Sequence, residues 1–115
     1  MTQIRFVASK QDRFERGKYC PTTYTTRLIV LDYSPLGNEV TINVYAVDGQ
    51  IAQPIMQPKH GRLTADTGSV LKYTDTTNSS FKYEVETDSR NEIVRVSIFA
   101  GNPFTGEVTE YRYSI

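Results

Sequence analysis

Short segments in which apolar and polar residues alternate dominate the chain from residue 24 onward. The segment EVTINVYAV, residues 39–47, has Val40, Ile42, Val44 and Ala46 at every second position. Because successive side chains of a β-strand point to opposite faces, this spacing predicts a strand with one face toward a core. The segments SFKYEVET, EIVRVSIFA and EVTEYRYSI alternate in the same way. The pattern therefore predicts an all-β fold.

Turn-forming sequences separate these segments every eight to fourteen residues, as in Asp48-Gly49 and in residues 101–106. The run Leu28 to Leu31 is apolar without interruption, which is typical of a strand covered on both faces. Two antiparallel sheets packed face to face satisfy both patterns. We therefore expect a single domain over residues 1–115, an Ig-like antiparallel β-sandwich of about seven strands.

The first 23 residues do not follow the alternating pattern. In ASKQDRFERG, residues 8–17, Ser9 could cap and Gly17 could end one or two turns of helix. The segment is polar nearly all round, which fits a loop equally well. We expect residues 1–23 to form an arm, a loop or a short helix.

Composition places the chain among globular proteins, with 115 residues, 38% apolar and 23% charged. Cys20 is the only cysteine, so an intrachain disulfide and a cysteine-based zinc site are excluded. No apolar run reaches the roughly 20 residues that span a bilayer, and the start of the chain lacks signal-peptide features. We expect a soluble protein without membrane partners, located in the cytoplasm, within an assembly, or cut from a longer surface protein.

Net charge is zero, but residues 1–30 carry six basic and two acidic residues. The basic arm consists of Arg5, Lys10, Arg13, Arg16 and Lys18. Such a cluster indicates either an anionic partner or a solvated segment that faces the acidic remainder of the fold. Asp12 and Glu15 interrupt it and the pI is about 6.6, so nucleic acid is not the favoured partner.

A pattern of structural residues covers roughly residues 40–100. It consists of Pro58, His60, Gly61 and Leu63; Tyr73 and Thr74; Phe81, Tyr83, Val85 and Asp88; and Val94, Val96 and Ile98. This pattern resembles the cadherin-like and bacterial Ig-like repeats of large surface proteins, and the resemblance implies a sandwich fold, adhesion and no catalytic role for His60. It departs from them in being a single unit without an export signal.

Candidate chemistry is sparse. Calcium-binding members of that family cluster acidic residues at domain junctions, whereas this chain offers scattered turn aspartates, namely Asp48, Asp66, Asp75 and Asp88. We expect no cofactor, with calcium held by these four residues as the alternative. Glu84 and Glu86 share the polar face of a predicted strand with Lys82, which alternating surface charge explains without catalysis. We therefore expect no enzyme.

Surface-forming side chains give the functional hypotheses. Ile93, Phe99 and Phe104 occupy predicted outward or loop-tip positions and would form an apolar patch for a protein partner or for self-association. Tyr111 and Tyr113 share one strand face and could stack on a sugar. We expect a non-catalytic structural or protein-binding module, such as a component of a larger assembly or appendage; the alternative is a carbohydrate-binding module.

Overall fold

The computed structural model describes residues 2–16 and 18–115 as an all-β protein built from antiparallel strands. Within these ranges eleven strands occur: β1 (Thr2–Ala8), β2 (Lys10–Glu15), β3 (Lys18–Thr23), β4 (Arg27–Tyr33), β5 (Glu39–Asp48), β6 (Ile51–Pro54), β7 (Lys59–Asp66), β8 (Val70–Asp75), β9 (Phe81–Thr87), β10 (Ile93–Gly101) and β11 (Val108–Ser114). The same ranges contain no helix of the length and apolarity needed to cross a membrane.

The strands are hydrogen-bonded in the order β1-β4-β5-β7-β8-β9-β10-β11-β2-β3, and β6 pairs with the outer part of β5. Strands β1 and β2 are successive parts of one segment that bends at Ser9. Its first part pairs with β4 and its second part with β11, while Ser9 N donates to Ser114 O at 3.0 Å. The path of hydrogen bonds therefore returns to the segment from which it began.

The N-terminal segment differs from expectation. Its described residues form strands β1, β2 and β3, so they are neither a free arm, a loop nor a helix; Gly17, the predicted helix stop, lies outside the described residues. Phe6 and Ala8 of β1 are buried in the common core, and Phe14 of β2 packs on Tyr19 of β3. Burial of these side chains on strands outweighs the weak helix signal of Ser9.

The strand number also exceeds the predicted value of about seven. Three of the additional strands come from residues 2–23, and the fourth is the short strand β6. Strands β3 and β6 lie at edges of the sheet and bury no side chain fully, so their sequences show no alternation. Pro21 and Pro54 lie in these two edge strands, and each removes a backbone N–H that another chain could pair with.

A single core lies between the inner faces of the strands. Val40, Ile42 and Val44 are buried while the intervening residues of β5 are half-buried, which confirms the predicted alternation. Ile29, Val30 and Leu31 of β4 are buried on both faces, which confirms the interpretation of the continuous apolar run. The expectation of an all-β antiparallel fold is correct.

The ring of buried Tyr83 packs directly against the backbone at Gly61. A Cβ at this position would come within 2.9 Å of both Tyr73 Cβ and Tyr83 Cδ2. The hydroxyl of Tyr83 donates to Asp75 Oδ2 at 2.5 Å, and Asp75 Oδ1 accepts from Thr77 N at 2.9 Å. Burial would raise the pKa of Asp75, but these hydrogen bonds outweigh it and lower the pKa below its ordinary value.

Candidate functional site

The outer side of strands β9, β10 and β11 carries a row of charged and polar side chains. We call this row the charged ladder; it consists of Glu84, Glu86, Arg95, Ser97, Glu110 and Arg112. The alternation of each strand puts these residues opposite the core, and the register places Arg95 beside Glu86 and Ser97 beside Glu84. Direct hydrogen bonds connect all six across three strands.

Arg95 is the centre of the ladder. Its Nε donates to Glu86 Oε1 at 2.9 Å, its Nη2 to Glu84 Oε1 at 3.3 Å, and its Nη1 to Ser97 Oγ at 2.5 Å. The side chain of Arg95 is only 16% exposed. Burial would lower the pKa of Arg95, but the hydrogen bonds to Glu86 and Glu84 outweigh it and raise the pKa.

Ser97 connects the hydrogen-bond network of Arg95 to β11. It is fully buried, and its Oγ donates to Glu110 Oε2 at 3.0 Å, which also accepts from Arg112 Nε at 2.9 Å. The guanidinium of Arg112 lies 4.5 Å from the centre of the Phe14 ring, and that ring packs on Tyr19 of β3 at 5.4 Å. The ladder thus ends in an aromatic pair, and its charges are largely satisfied by one another.

A groove adjoins the ladder at the end of the sheet where β10 finishes. We call it the outer groove; it has a volume of about 550 Å³. Half-buried Phe99 lies at its base, and Lys82 and Glu84 of β9 line one side. The opposite side is the β10–β11 loop with Asn102 and Glu107. The groove combines one aromatic surface with charged and amide groups, which is a common composition for a binding site.

Local backbone contacts fix the walls of the outer groove. Gly101 N donates to Ser80 O at 2.9 Å, and a Cβ at Gly101 would collide with that carbonyl. In the loop, Asn102 N donates to Glu107 O at 2.8 Å, and Asn102 Oδ1 accepts from Phe104 N at 2.9 Å. These bonds hold the loop in a closed turn. As a result Phe104 points away from the protein and is 95% exposed.

Of the charged residues that line the outer groove, the acidic ones have ionic partners, whereas the basic one has none among the described residues. Glu84 is bonded to Arg95, and Glu107 lies 2.7 Å from Arg16 of the β2–β3 hairpin. Lys82 forms no ion pair with any residue in the described ranges. The groove therefore offers one positive charge to a bound group, next to the ring of Phe99.

The predicted apolar patch is not a single surface. Phe99 lines the outer groove, and Phe104 lies exposed on the β10–β11 loop that forms one side of the groove. Ile93 instead packs against the core near the other end of β10. A β-bulge between Ile93 and Arg95 places two residues of β10 against one of β9 and turns the side chain of Ile93 inward. Periodicity alone does not detect such an extra residue.

The predicted tyrosine row is also absent from the surface. Tyr113 is 1% exposed and belongs to the core, and Tyr111 packs against that core on the same side of β11. The alternation is as expected, but the inner and outer faces are exchanged, because the outer face is occupied by Glu110 and Arg112. Tyr111 and Tyr113 therefore cannot stack on a sugar from an exposed sheet.

The basic residues of the N-terminal segment are dispersed. Arg5 is exposed on β1, Lys10 follows the bend at Ser9, and Lys18 opens β3. Arg13 lies 3.3 Å from Glu15, and Arg16 is paired with Glu107. Strand formation spreads them over both parts of the bent segment, so they do not form one basic arm.

The turn aspartates do not converge. Because neighbouring strands run antiparallel, Asp48 and Asp75 end strands at one end of the fold, whereas Asp66 and Asp88 lie at the other. Asp66 Oδ1 accepts from Gly68 N and Asp88 Oδ1 from Arg90 N, both at 2.8 Å. Among the residues the structure describes, no three His, Cys, Asp or Glu side chains group closely enough to hold a metal ion.

His60 lies on the exposed side of β7. Its Nδ1 is 3.0 Å from Thr41 Oγ1 of the neighbouring strand, and its backbone O accepts from Thr76 N at 2.9 Å. The side chain thus makes a cross-strand contact and the backbone anchors a turn.

Several residues of the site were not selected from the sequence. Ser97 lies at an outer position of β10, but nothing in the alternation indicated that it would be fully buried among charges. Lys82 and Glu107 belong to different strands or loops, and only the register of β9, β10 and β11 brings them to one groove. In comparisons with known proteins, no family model, curated protein or solved structure matches this chain.

Proposed function

We propose that this protein is a non-catalytic interaction module that associates through the outer groove and the exposed Phe104, most simply with further copies of itself in a larger assembly. The observation that carries the proposal is Phe104, a large apolar side chain that is 95% exposed on a loop closed by its own hydrogen bonds. Aromatic side chains held in this way are frequent anchors in protein interfaces.

The outer groove supplies a complementary surface beside this anchor. The ring of Phe99 offers an apolar contact, and Lys82 offers a positive charge. A partner segment with an aromatic or aliphatic side chain next to a carboxylate would match both. Catalysis has less support, because Glu84 and Glu86 are both engaged by Arg95 and His60 contacts Thr41.

The Ig-like or cadherin-like interpretation remains part of the proposal. It is supported by the conformation of the segment around His60 and Gly61, where the glycine admits the Tyr83 ring and the histidine binds across to β5. Strands of two packed sheets on either side of a single core would accommodate the same contacts.

Self-association is tested by light scattering over a range of protein concentrations. For the wild type we expect the molar mass to rise with concentration, and for Phe104→Ser we expect the mass of one chain throughout. Leu36→Ser is the matched control, because Leu36 is 88% exposed on the β4–β5 turn at the opposite end of the fold. A wild type that stays monomeric, or a Phe104→Ser variant that assembles normally, would contradict the proposal.

Carbohydrate binding is the second candidate, and the outer groove favours it over the tyrosine row. An aromatic ring at the base with hydroxyl and amide groups around it, here Phe99 with Ser79, Ser80 and Asn102, suits the apolar face and the hydroxyls of a sugar. A glycan array should then give a signal that Phe99→Ala abolishes and Tyr111→Phe retains. An array without signal for the folded wild type would remove this candidate.

A further inference from the structure

A second cavity lies on the inner side of the sheet, away from the outer groove. We call it the interior slot; its volume is about 310 Å³, and it is open to solvent on one side. The lining residues are Gln11, Ile55, Met56, Lys59, Phe81, Ile98, Ala100, Tyr111 and Tyr113. The proposed function does not make use of it.

The slot arises where β5 changes its pairing partner and where β8 ends. Strand β5 pairs with β7 over its first residues and with β6 over its last, so the connection 55–58 crosses the side of the fold between them. Strand β8 ends at Asp75, opposite Gly61, and its pairing with β9 stops at Thr74 and Lys82. Phe81 is therefore paired with Ala100 of β10 but with no residue of β8. The core is therefore accessible at this level.

The walls of the slot are apolar and aromatic, with few polar groups. Ile98 and Tyr113 belong to the buried core, and Met56, Phe81 and Tyr111 pack against it. Gln11 and Lys59 are the polar members, and no acidic side chain lines the slot. Small-molecule sites have this composition, and volumes of about 300 Å³ are at the lower end of their range.

The charge near the slot is positive. Lys59 Nζ lies 4.8 Å from the centre of the Phe81 ring at the rim. Burial raises the pKa of Tyr113, which lines the slot, to about 12, so its hydroxyl adds no negative charge there. With no acid in the lining, the ammonium of Lys59 favours an anionic group in the slot.

We propose that the interior slot binds a small amphipathic anion, with an apolar chain or ring against Ile98, Ala100 and Tyr111 and a carboxylate directed toward Lys59. The apolar walls account for the body of the ligand, and Lys59, with no acid in the lining, accounts for its charge. This site is separate from the outer groove and does not depend on the proposed self-association.

Three probes of equal chain length separate the apolar contribution to binding from the ionic contribution: octanoate, 1-octanol and octylammonium. Each is titrated into isotope-labelled protein while the methyl signals of Met56, Ile98 and Ala100 are followed by NMR. We expect saturable shifts of these signals with octanoate, about tenfold weaker binding of octanol because the ionic hydrogen bond is lost, and the weakest binding for octylammonium.

Variants test the location. Ala100→Phe should fill the slot and abolish octanoate binding, while Lys59→Met should weaken octanoate to the level of octanol without affecting octanol itself. Phe104→Ser, in the outer groove region, is the control and should bind octanoate as the wild type does. Lys59 is only half-buried, so its variant keeps the test valid if Ala100→Phe fails to fold.

Three results would overturn the proposal. The first is the absence of saturable shifts at the slot methyls. The second is octylammonium binding as tightly as octanoate, since the ammonium of Lys59 would then have no influence. The third is saturable shifts that centre on Phe99 and Gly101, because these lie in the outer groove.

Discussion

Strand β10 has Val96 and Ile98 on its inner face and Arg95 and Ser97 on its outer face, and both pairs are largely shielded from solvent. The inner pair is shielded by apolar side chains of one core, whereas the outer pair is shielded by ionic partners. A buried apolar side chain can be covered by apolar neighbours of several kinds. A charged side chain that is removed from water needs particular hydrogen-bond donors or acceptors. Loss of one partner should therefore affect the two faces differently.

The largest effect is expected on the inner face. Ile98→Ala leaves a cavity among buried side chains and should lower the free energy of unfolding by about 2–5 kcal/mol. Urea denaturation followed by circular dichroism measures this change. Ile51→Ala is the control, because Ile51 is 63% exposed on β6 and its truncation should cost less than about 0.5 kcal/mol. Equal losses for the two variants would show that Ile98 is not a core residue.

A smaller but specific effect is expected on the outer face. Arg95→Met removes the shared partner of Glu84 and Glu86 and should lower the free energy of unfolding by about 1–3 kcal/mol. Adding Glu84→Gln to this variant should recover part of the loss, because one uncompensated carboxylate is removed.

Arg90→Met is the matched control for the outer face. Arg90 is 77% exposed and lies 4.0 Å from Glu92, so its loss should cost about 0–1 kcal/mol. If Arg95→Met costs no more than Arg90→Met in the same urea titration, the charged ladder contributes nothing to stability beyond an ordinary surface pair.

The smallest expected effect is on the stability of the protein at acidic pH. The pKa of Asp75 is lowered in the folded state from its ordinary value of 3.8, so the unfolded chain takes up this proton first as pH falls. The stability from Asp75 is thus present above pH 3.8 and is lost as pH falls through the folded-state pKa. Asp75→Asn should flatten the dependence of unfolding free energy on pH below about 4. An unchanged slope would mean that Tyr83 and Thr77 do not favour the ionised carboxylate.

Alternation in β5, β9, β10 and β11 was sufficient to predict an antiparallel all-β protein, because burial of one side of each of these strands imposes a period of two. It was not sufficient for the N-terminal segment, where a bend at Ser9 interrupts the period. In β1 the buried residues are Phe6 and Ala8, whereas in β2 the inner side carries Gln11, which is paired with Tyr113. The phase of the pattern changes at the bend, so no single period extends across it.

The candidate sites were less predictable for a related reason. Phe99 and Phe104 were selected as surface residues; Phe99 lines the outer groove and Phe104 is exposed on the loop beside it. Ile93 and the two tyrosines were assigned to the wrong side, through a bulge in one case and through an exchange of faces in the other. Deciding which face of a strand is inner requires the neighbouring strands, and the sequence of one strand does not contain them.

The bend at Ser9 also governs the order of events in folding. Strand β2 forms its ladder with β11, so the pairs Lys10 with Ser114 and Glu15 with Thr109 join residues from opposite ends of the printed sequence. Bringing such distant residues together costs chain entropy before any contact compensates for it, and folds rich in such contacts acquire their structure slowly. On the ribosome, β1 could pair once β4 has emerged, whereas β2 would wait for β11, and until then one side of β2 would present unpaired amides to other chains.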